Sequence, residues 1–273
     1  MDNLESVLHE DRVFPPNPEF AAHARIGSRE AYDALCAEAE KDYEGYWARL
    51  AREEITWQTP FTQILDESNA PHYRWFADGT LNVSVNCIDR HLNSKGDKVA
   101  FIVEHDDGET RTITYRQLSE QVNRLANGLK ELGIKTGDRV VIYMPMLPEA
   151  VIAMLACARI GAIHSVVFAG FSAEALRDRV LDTGAKLIIT ADGGMRGGRM
   201  VPLKASVDKA MQHGCPDVKN VLVFKRTGSE ITMHAGRDIW WHELVEKQSA
   251  DCEPVYVNAE HPLFLLYTSG STG

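Results

Sequence analysis

Between residues 139 and 224 the chain alternates four short apolar runs with three helical segments, and this alternation restricts the fold more than any other feature. RVVIYM (139–144), the run from Ala162 to Phe168, KLIIT (186–190) and NVLVF (220–224) are too short for helices and rich in β-branched residues, as strands buried on both faces are. Pro148 opens an apolar helix running to about Ile160, and Ser172 caps one ending near Leu181. Pro202 opens a third, with Leu203, Val207 and Met211 on one face. Consecutive parallel strands need a crossover, so this rhythm predicts an α/β fold with a mainly parallel sheet flanked by helices. In such sheets ligands bind beyond the carboxyl ends of the strands. The loops that follow the strands are therefore where function is sought.

Upstream, VAFIVE (99–104), DDG (106–108) and TRTITY (110–115) read as a β-hairpin, so Asp106 and Asp107 need no role beyond a turn. Thr114 and Gln117 form a capping box for a helix that buries Leu118, Val122, Leu125, Leu129 and Leu132 and stops at Gly133. Trp240, Trp241 and Leu244 lie at helical spacing and read as core. Nearer the start, residues 28–51 have helical composition. Trp57, Phe61, Tyr73, Trp75 and Phe76 then sit in an irregular stretch expected to wrap on a larger body. Prolines 15, 16 and 18 predict a mobile arm over residues 1–27.

Composition excludes several classes. Net charge is −10, and no Lys/Arg run supplies the basic face a nucleic-acid partner requires. Five scattered cysteines without a CxxC read as reduced thiols, and no metal site is expected. The acidic N-terminus lacks the order of a signal peptide, and Arg159 and His164 interrupt the most apolar stretch, which makes a poor membrane span. The location expected is cytoplasmic. His164 itself reads as a core histidine rather than a catalyst.

Two loops carry chemistry. GGMRGGRMVPLK (193–204) follows the strand KLIIT and sets Arg196 and Arg199, three residues apart, among four glycines. Guanidinium groups bind phosphate through paired N–H donors, and glycine keeps the neighbouring backbone clear. YTSGSTG (267–273) follows PLFLLY, which reads as a buried strand. Its glycines and hydroxyls suit a polyphosphate cradle, although composition alone equally allows a Ser/Gly linker. Neither the GxxxxGK[ST] loop nor the G-x-G-x-x-G dinucleotide fingerprint is present, so a nicotinamide-dependent dehydrogenase would rest on fold analogy alone.

LFLLYTSGSTG resembles the phosphate loop of the adenylate-forming (acyl-CoA synthetase) superfamily, and GGMRGGR with PLK resembles the coenzyme A loop of its acetyl-CoA synthetase branch. YMPMLPEAVIAMLACARIGAIHSVVFAGFS (143–172) and the segment from Thr59 to Leu92 resemble the same branch, so the likeness covers roughly residues 30–273. It implies an N-terminal extension over 28–92 and, over 93–273, the first part of an AMP-binding domain cut within its phosphate loop. It further implies coenzyme A contacts at Phe168, Gly170, Arg196, Gly197, Gly198 and Arg199. Thr268, Ser269, Gly270, Ser271, Thr272 and Gly273 would receive the phosphates of ATP. Ala169 stands where the family has glycine, and its methyl is expected to crowd the ligand slightly. The implied reaction converts acetate, ATP and coenzyme A, with Mg²⁺, into acetyl-CoA through an acetyl-adenylate, releasing AMP and pyrophosphate. No catalytic residue is assignable in these residues. A missing C-terminal part of the same enzyme is the expected partner, and the chain alone is expected to be inactive. Propionyl-CoA synthetase and a non-catalytic nucleotide-binding remnant are the alternatives.

Overall fold

The structure is a computed structural model and describes residues 12–105, 108–212 and 214–268. The chain forms two compact units, Met1–Glu54 and Ile55–Gly273; the boundaries read from sequence, 27/28 and 92/93, each fall inside one of them. The first unit holds α1 (Pro18–His23), α2 (Arg29–Lys41) and α3 (Tyr43–Glu54). Pro18 does not break this region. It occupies the first helical turn, where its missing N–H costs nothing, and the Asn17 side chain accepts from the N–H groups of Glu19 and Phe20. The helix expected over 28–51 is two helices, because the Asp42 carboxylate accepts from the Gly45 N–H and so starts a new one.

The second unit begins with the aromatic stretch and three two-residue strands, β1 (Leu65–Asp66), β2 (Arg74–Trp75) and β3 (Thr80–Leu81). Phe61 is buried between Trp57 and Phe76, with ring centroids 5.0 and 4.3 Å away. Asn82 is buried and donates from Nδ2 towards the carbonyls of Ala158, Arg159 and Val255 at 2.8–3.1 Å. The stretch is thus laced onto the larger body, as expected. After α4 (Arg90–Lys95) come the antiparallel strands β4 (Val99–Glu104) and β5 (Thr110–Thr114) and the helix α5 (Tyr115–Glu131). Both bonds of the Thr114/Gln117 capping box form.

The central sheet contains β6 (Arg139–Tyr143), β7 (Ile163–Val166) and β8 (Leu187–Ala191). A small hairpin, β9 (Gly194–Arg196) and β10 (Arg199–Val201), interrupts it before β11 (Asn220–Phe224) and β12 (Asp238–Trp240). Then follow β13 (Val257–Asn258), which pairs with β3, and β14 (Phe264–Leu265). The order is β12-β11-β8-β6-β7-β14, every neighbouring pair parallel. The connecting helices are α6 (Pro148–Arg159), α7 (Ala173–Thr183), α8 (Leu203–Gln212) and α9 (Trp241–Val245). Alternate strand residues serve opposite faces. Val140, Ile142, Leu187, Ile189 and Leu222 pack with α5, α6 and α9, whereas Val141, Tyr143, Ile188, Val221 and Val223 pack with α7 and α8.

Two strand readings change. Trp240 ends β12 instead of lying in a helix, while Trp241 and Leu244 of α9 are buried as expected. PLFLLY is not a buried strand. β14 lies at the sheet edge beside β7, and Phe264, Leu265 and Leu266 are 50%, 36% and 68% exposed, because no described element covers them. From β6 the chain steps to β7 on one side and then returns past β6 to β8 on the other. That reversal sets the loops after β6, β7 and β8 beside one another at the carboxyl edge.

Candidate functional site

The segment read as a glycine-rich loop after β8 is the hairpin β9–β10, with Arg196↔Arg199, Met195↔Met200 and Gly194↔Val201 as partners. Its two-residue turn, Gly197–Gly198, has φ of +55° and +72°, the doubly left-handed geometry of a type I′ turn, which glycine adopts without strain. The turn makes Arg196 and Arg199 cross-strand partners, so both side chains leave the same face. Like charges placed directly opposite repel. Among the described residues neither arginine has a carboxylate within ion-pair distance. Two exposed guanidinium groups without a described counter-charge offer the paired N–H donors that an anion could accept from.

The loop after β7 lies against Arg196. The Arg196 guanidinium lies over the Phe168 ring, 5.0 Å from its centroid. Both side chains close over Gly170: a Cβ there would stand 2.5 Å from Phe168 Cε1 and 2.6 Å from Arg196 Nη1, so the two would have to shift. Sequence positions 168, 170 and 196 are thus brought into one contact by the sheet order. Phe168 and Phe171, each about half exposed, form an apolar rim on the Arg196 side of the cation pair, whereas Met195 and Met200 are the neighbouring cross-strand pair and leave the other face of the hairpin. Such a rim with paired guanidiniums suits a ligand that joins phosphates to an aromatic base. The Ala169 side chain packs towards the apolar layer of α7 and α8.

Buried groups beneath these loops, which the sequence reading passed over, hold them in place. Tyr143, the last residue of β6, is 1% exposed, with its hydroxyl 2.8 Å from the Phe171 carbonyl and 3.2 Å from that of Ala169. Asp192, directly after β8, is also 1% exposed. Its carboxylate accepts from the backbone N–H groups of Gly193, Arg226, Thr227 and Gly228 at 2.7–3.2 Å. Burial opposes its ionisation, but those bonds, led by that of Thr227, prevail and hold its pKa below the ordinary carboxylate value.

Residues 88–273 match the family described as AMP-binding enzyme, and residues 32–87 match the acetyl-coenzyme A synthetase N-terminus. The chain belongs to the AMP-binding enzyme family. It is 60% identical over its whole length to the acetyl-coenzyme A synthetase of Thiobacillus denitrificans, and 59% identical to that of Methylobacillus flagellatus. Identity to the acetyl-coenzyme A synthetase of Pasteurella multocida is 59% over 98% of this chain. The chain spans 42% of the length of the first two relatives and 41% of the third. Among solved structures, the acetoacetyl-CoA synthetase from Streptomyces lividans superposes with a TM-score of 0.81 at 26% identity, covering 93% of this chain and 38% of that one.

Of the phosphate-loop candidates of this AMP-binding family member, Thr268 is exposed, while Ser269, Gly270, Ser271, Thr272 and Gly273 lie outside the described residues. The start of the motif is anchored on α7. Arg179 lies over the rings of Phe171 and Tyr267, at 4.6 and 5.2 Å, and the Tyr267 hydroxyl donates to Asp182. Burial and the adjoining Asp182 carboxylate push the Tyr267 pKa up to about 12.

His164 is not a satisfied core histidine. Its ring stacks on Phe264 at 5.8 Å, and its buried Nδ1 has no hydrogen-bond partner among the described residues. Burial lowers its pKa to about 4, so it is neutral at pH 7. Asp208, His234 and Asp238 lie close enough to share a metal ion. However, Lys204, fully buried, pairs with both carboxylates at 2.7 Å, and Arg237 pairs with both as well. The group is a closed ion network and does not fit a magnesium site.

Proposed function

We propose that this chain supplies the coenzyme A receptor of an acetate–CoA ligase (AMP-forming), with acetate, ATP and coenzyme A as substrates. The observation that supports the reading is the cross-strand pair Arg196 and Arg199, without a carboxylate partner among the described residues and edged by Phe168 and Gly170. The relatives' shared name, acetyl-coenzyme A synthetase, favours acetate over propionate and an enzyme over a non-catalytic remnant.

In the proposed reaction an acetate carboxylate oxygen attacks the α-phosphorus of ATP, and pyrophosphate leaves. The sulfur of coenzyme A then attacks the acyl carbon, and AMP leaves as the thioester forms. Charge accumulating on pyrophosphate calls for hydrogen-bond donors, the role we assign to residues 268–273. Mg²⁺ would enter as part of the nucleotide substrate. Arg196 and Arg199 grip coenzyme A by its phosphates, remote from the bonds that change, and so position its thiol. Gly197 and Gly198 hold the two arginines side by side. The adenine ring would lie against Phe168, above Gly170. The proposed location is the cytoplasm, in keeping with free cysteines at all five positions. No helix among the described residues is long and apolar enough to cross a membrane.

We propose further that residues 28–92 are the N-terminal extension and 93–273 the first part of the AMP-binding domain, and that the remaining length of the relatives is the partner that completes the catalytic site. The 273-residue chain is then expected to bind coenzyme A but to form no acetyl-adenylate. Calorimetric titration with coenzyme A and acetate-dependent exchange of pyrophosphate into ATP test the two halves. Absence of coenzyme A binding contradicts the receptor, and robust exchange contradicts the need for the remaining length.

A further inference from the structure

We propose that Tyr143 and Asp192 are positioning residues that pre-assemble the coenzyme A receptor from below, a role that rests on the reading of Arg196 and Arg199 as its phosphate ligands. The two groups stand at the carboxyl ends of neighbouring strands. Tyr143 is in register with Thr190, whose hydroxyl donates to the Tyr143 carbonyl at 2.9 Å, and Asp192 follows two residues later. Tyr143, Thr190 and Asp192 thus form a buried polar row, with relative exposures of 1%, 0% and 1%, across the floor of the site.

Each end of the row holds a different wall. The Tyr143 hydroxyl reaches the carbonyls of Ala169 and Phe171, which bracket Gly170, and so sets the loop that presents Phe168 to Arg196. The Asp192 carboxylate gathers the root of the β9–β10 hairpin, through Gly193, and the loop after β11, through residues 226–228. A buried carboxylate can be retained there because four backbone N–H groups answer it. What these bonds fix is loop backbone above the sheet, because the strands below are already held by the parallel ladder and by apolar packing on both faces. Removing a post should therefore loosen the receptor while the sheet stays intact. Binding then has to select the ordered state and weakens by its lost population.

The test uses the 273-residue chain with coenzyme A as probe. Tyr143→Phe keeps the ring and deletes one hydroxyl; Asp192→Asn keeps the shape and turns an amide donor towards backbone donors. Arg196→Ala/Arg199→Ala serves as the control for the receptor itself. Tyr143→Phe is expected to weaken coenzyme A binding about three- to ten-fold, as loss of one buried hydrogen bond implies, and Asp192→Asn more. Backbone hydrogen exchange should rise in residues 168–171 for the first variant and in 193–201 and 225–228 for the second, with exchange in β6, β8 and β11 unchanged. If the arginine control loses binding while both posts can be replaced without effect, the inference is wrong and the receptor reading stands. If the arginine control binds as tightly as the unaltered chain, the receptor reading itself fails. Weaker binding with exchange raised throughout the sheet would show general destabilisation and overturn the positioning role. Should Asp192→Asn fail to fold, the Tyr143→Phe result alone decides.

Discussion

Substituting alanine at both turn glycines, Gly197 and Gly198, isolates backbone conformation from every other influence on the receptor. A Cβ at either position meets nothing within 4 Å, so neither alanine is obstructed. The cost is conformational, because φ values of +55° and +72° place an alanine in the left-handed region at about 1–2 kcal/mol each. The stiffer open chain offsets some of this, by about 0.4–1 kcal/mol per site. A net of about 2 kcal/mol for the pair shifts the hairpin's opening equilibrium about thirty-fold. The hairpin is one strand pair of three residue partners, and only Val201 of it packs against the core beside β6, β8 and β11, so global unfolding should scarcely change. Apparent coenzyme A affinity, measured by calorimetry beside a urea unfolding curve, should fall by up to about thirty-fold. Gly197→Asn provides the contrast, since Asn-Gly is a favoured type I′ pair, and should bind nearly as the unaltered chain does. Equal binding by the double-alanine and Asn-Gly variants would refute the claim that this turn sets the arginines side by side.

Gly170→Ala should displace Phe168 and Arg196, whose side-chain ends lie within 2.6 Å of the new methyl. Titration should show affinity for coenzyme A down about two- to five-fold, with stability changed by less than about 1 kcal/mol, because flexible side chains yield. Arg159→Met removes the partner of Asp89, two contacts of 3.0 Å, and the donor to the Cys252 carbonyl, at a guanidinium only 6% exposed. Urea unfolding should register a loss of about 3–5 kcal/mol. His164 has a folded-state pKa near 4 against an ordinary 6.5, so on acidification the unfolded chain takes up this proton first. Its contribution is complete above pH 6.5 and is lost as pH falls through about 4. His164→Leu should remove that slope, at most about 3 kcal/mol between those limits, and urea midpoints at pH 7.5 and 4.5 would measure it.

The layers of the fold were legible where the signal is local or periodic. The Thr114/Gln117 capping box needs four consecutive residues, and the apolar runs of β6, β8 and β11 alternate between faces whatever lies beside them. β12 was missed because Asp238–Ile239–Trp240 is strand only by its pairing with β11, a contact no local pattern encodes. PLFLLY misled because apolar sequence signals burial only if something arrives to bury it. At the site, the arginines and glycines were legible as chemistry but not as geometry. The Gly-Gly pair was read as keeping backbone clear of a phosphate, whereas it is a two-residue turn that converts a spacing of three into a cross-strand pair. Contact between Phe168 and Arg196 follows from sheet order, and nothing near either residue announces it. Asp192 did leave a trace, an acidic residue between a buried strand and a glycine, a position that often accepts from nearby backbone. The hydroxyl of Tyr143 left none.

Calorimetric titration of coenzyme A into Arg196→Ala/Arg199→Ala, at fixed low salt, bears most directly on the site as a whole. Charge-assisted bonds are worth about 1.5–3 kcal/mol each, so loss of both guanidiniums should weaken binding more than about a hundred-fold, with unfolding unchanged. An affinity equal to that of the unaltered chain would mean that this pair of positive charges receives some other anion, or none.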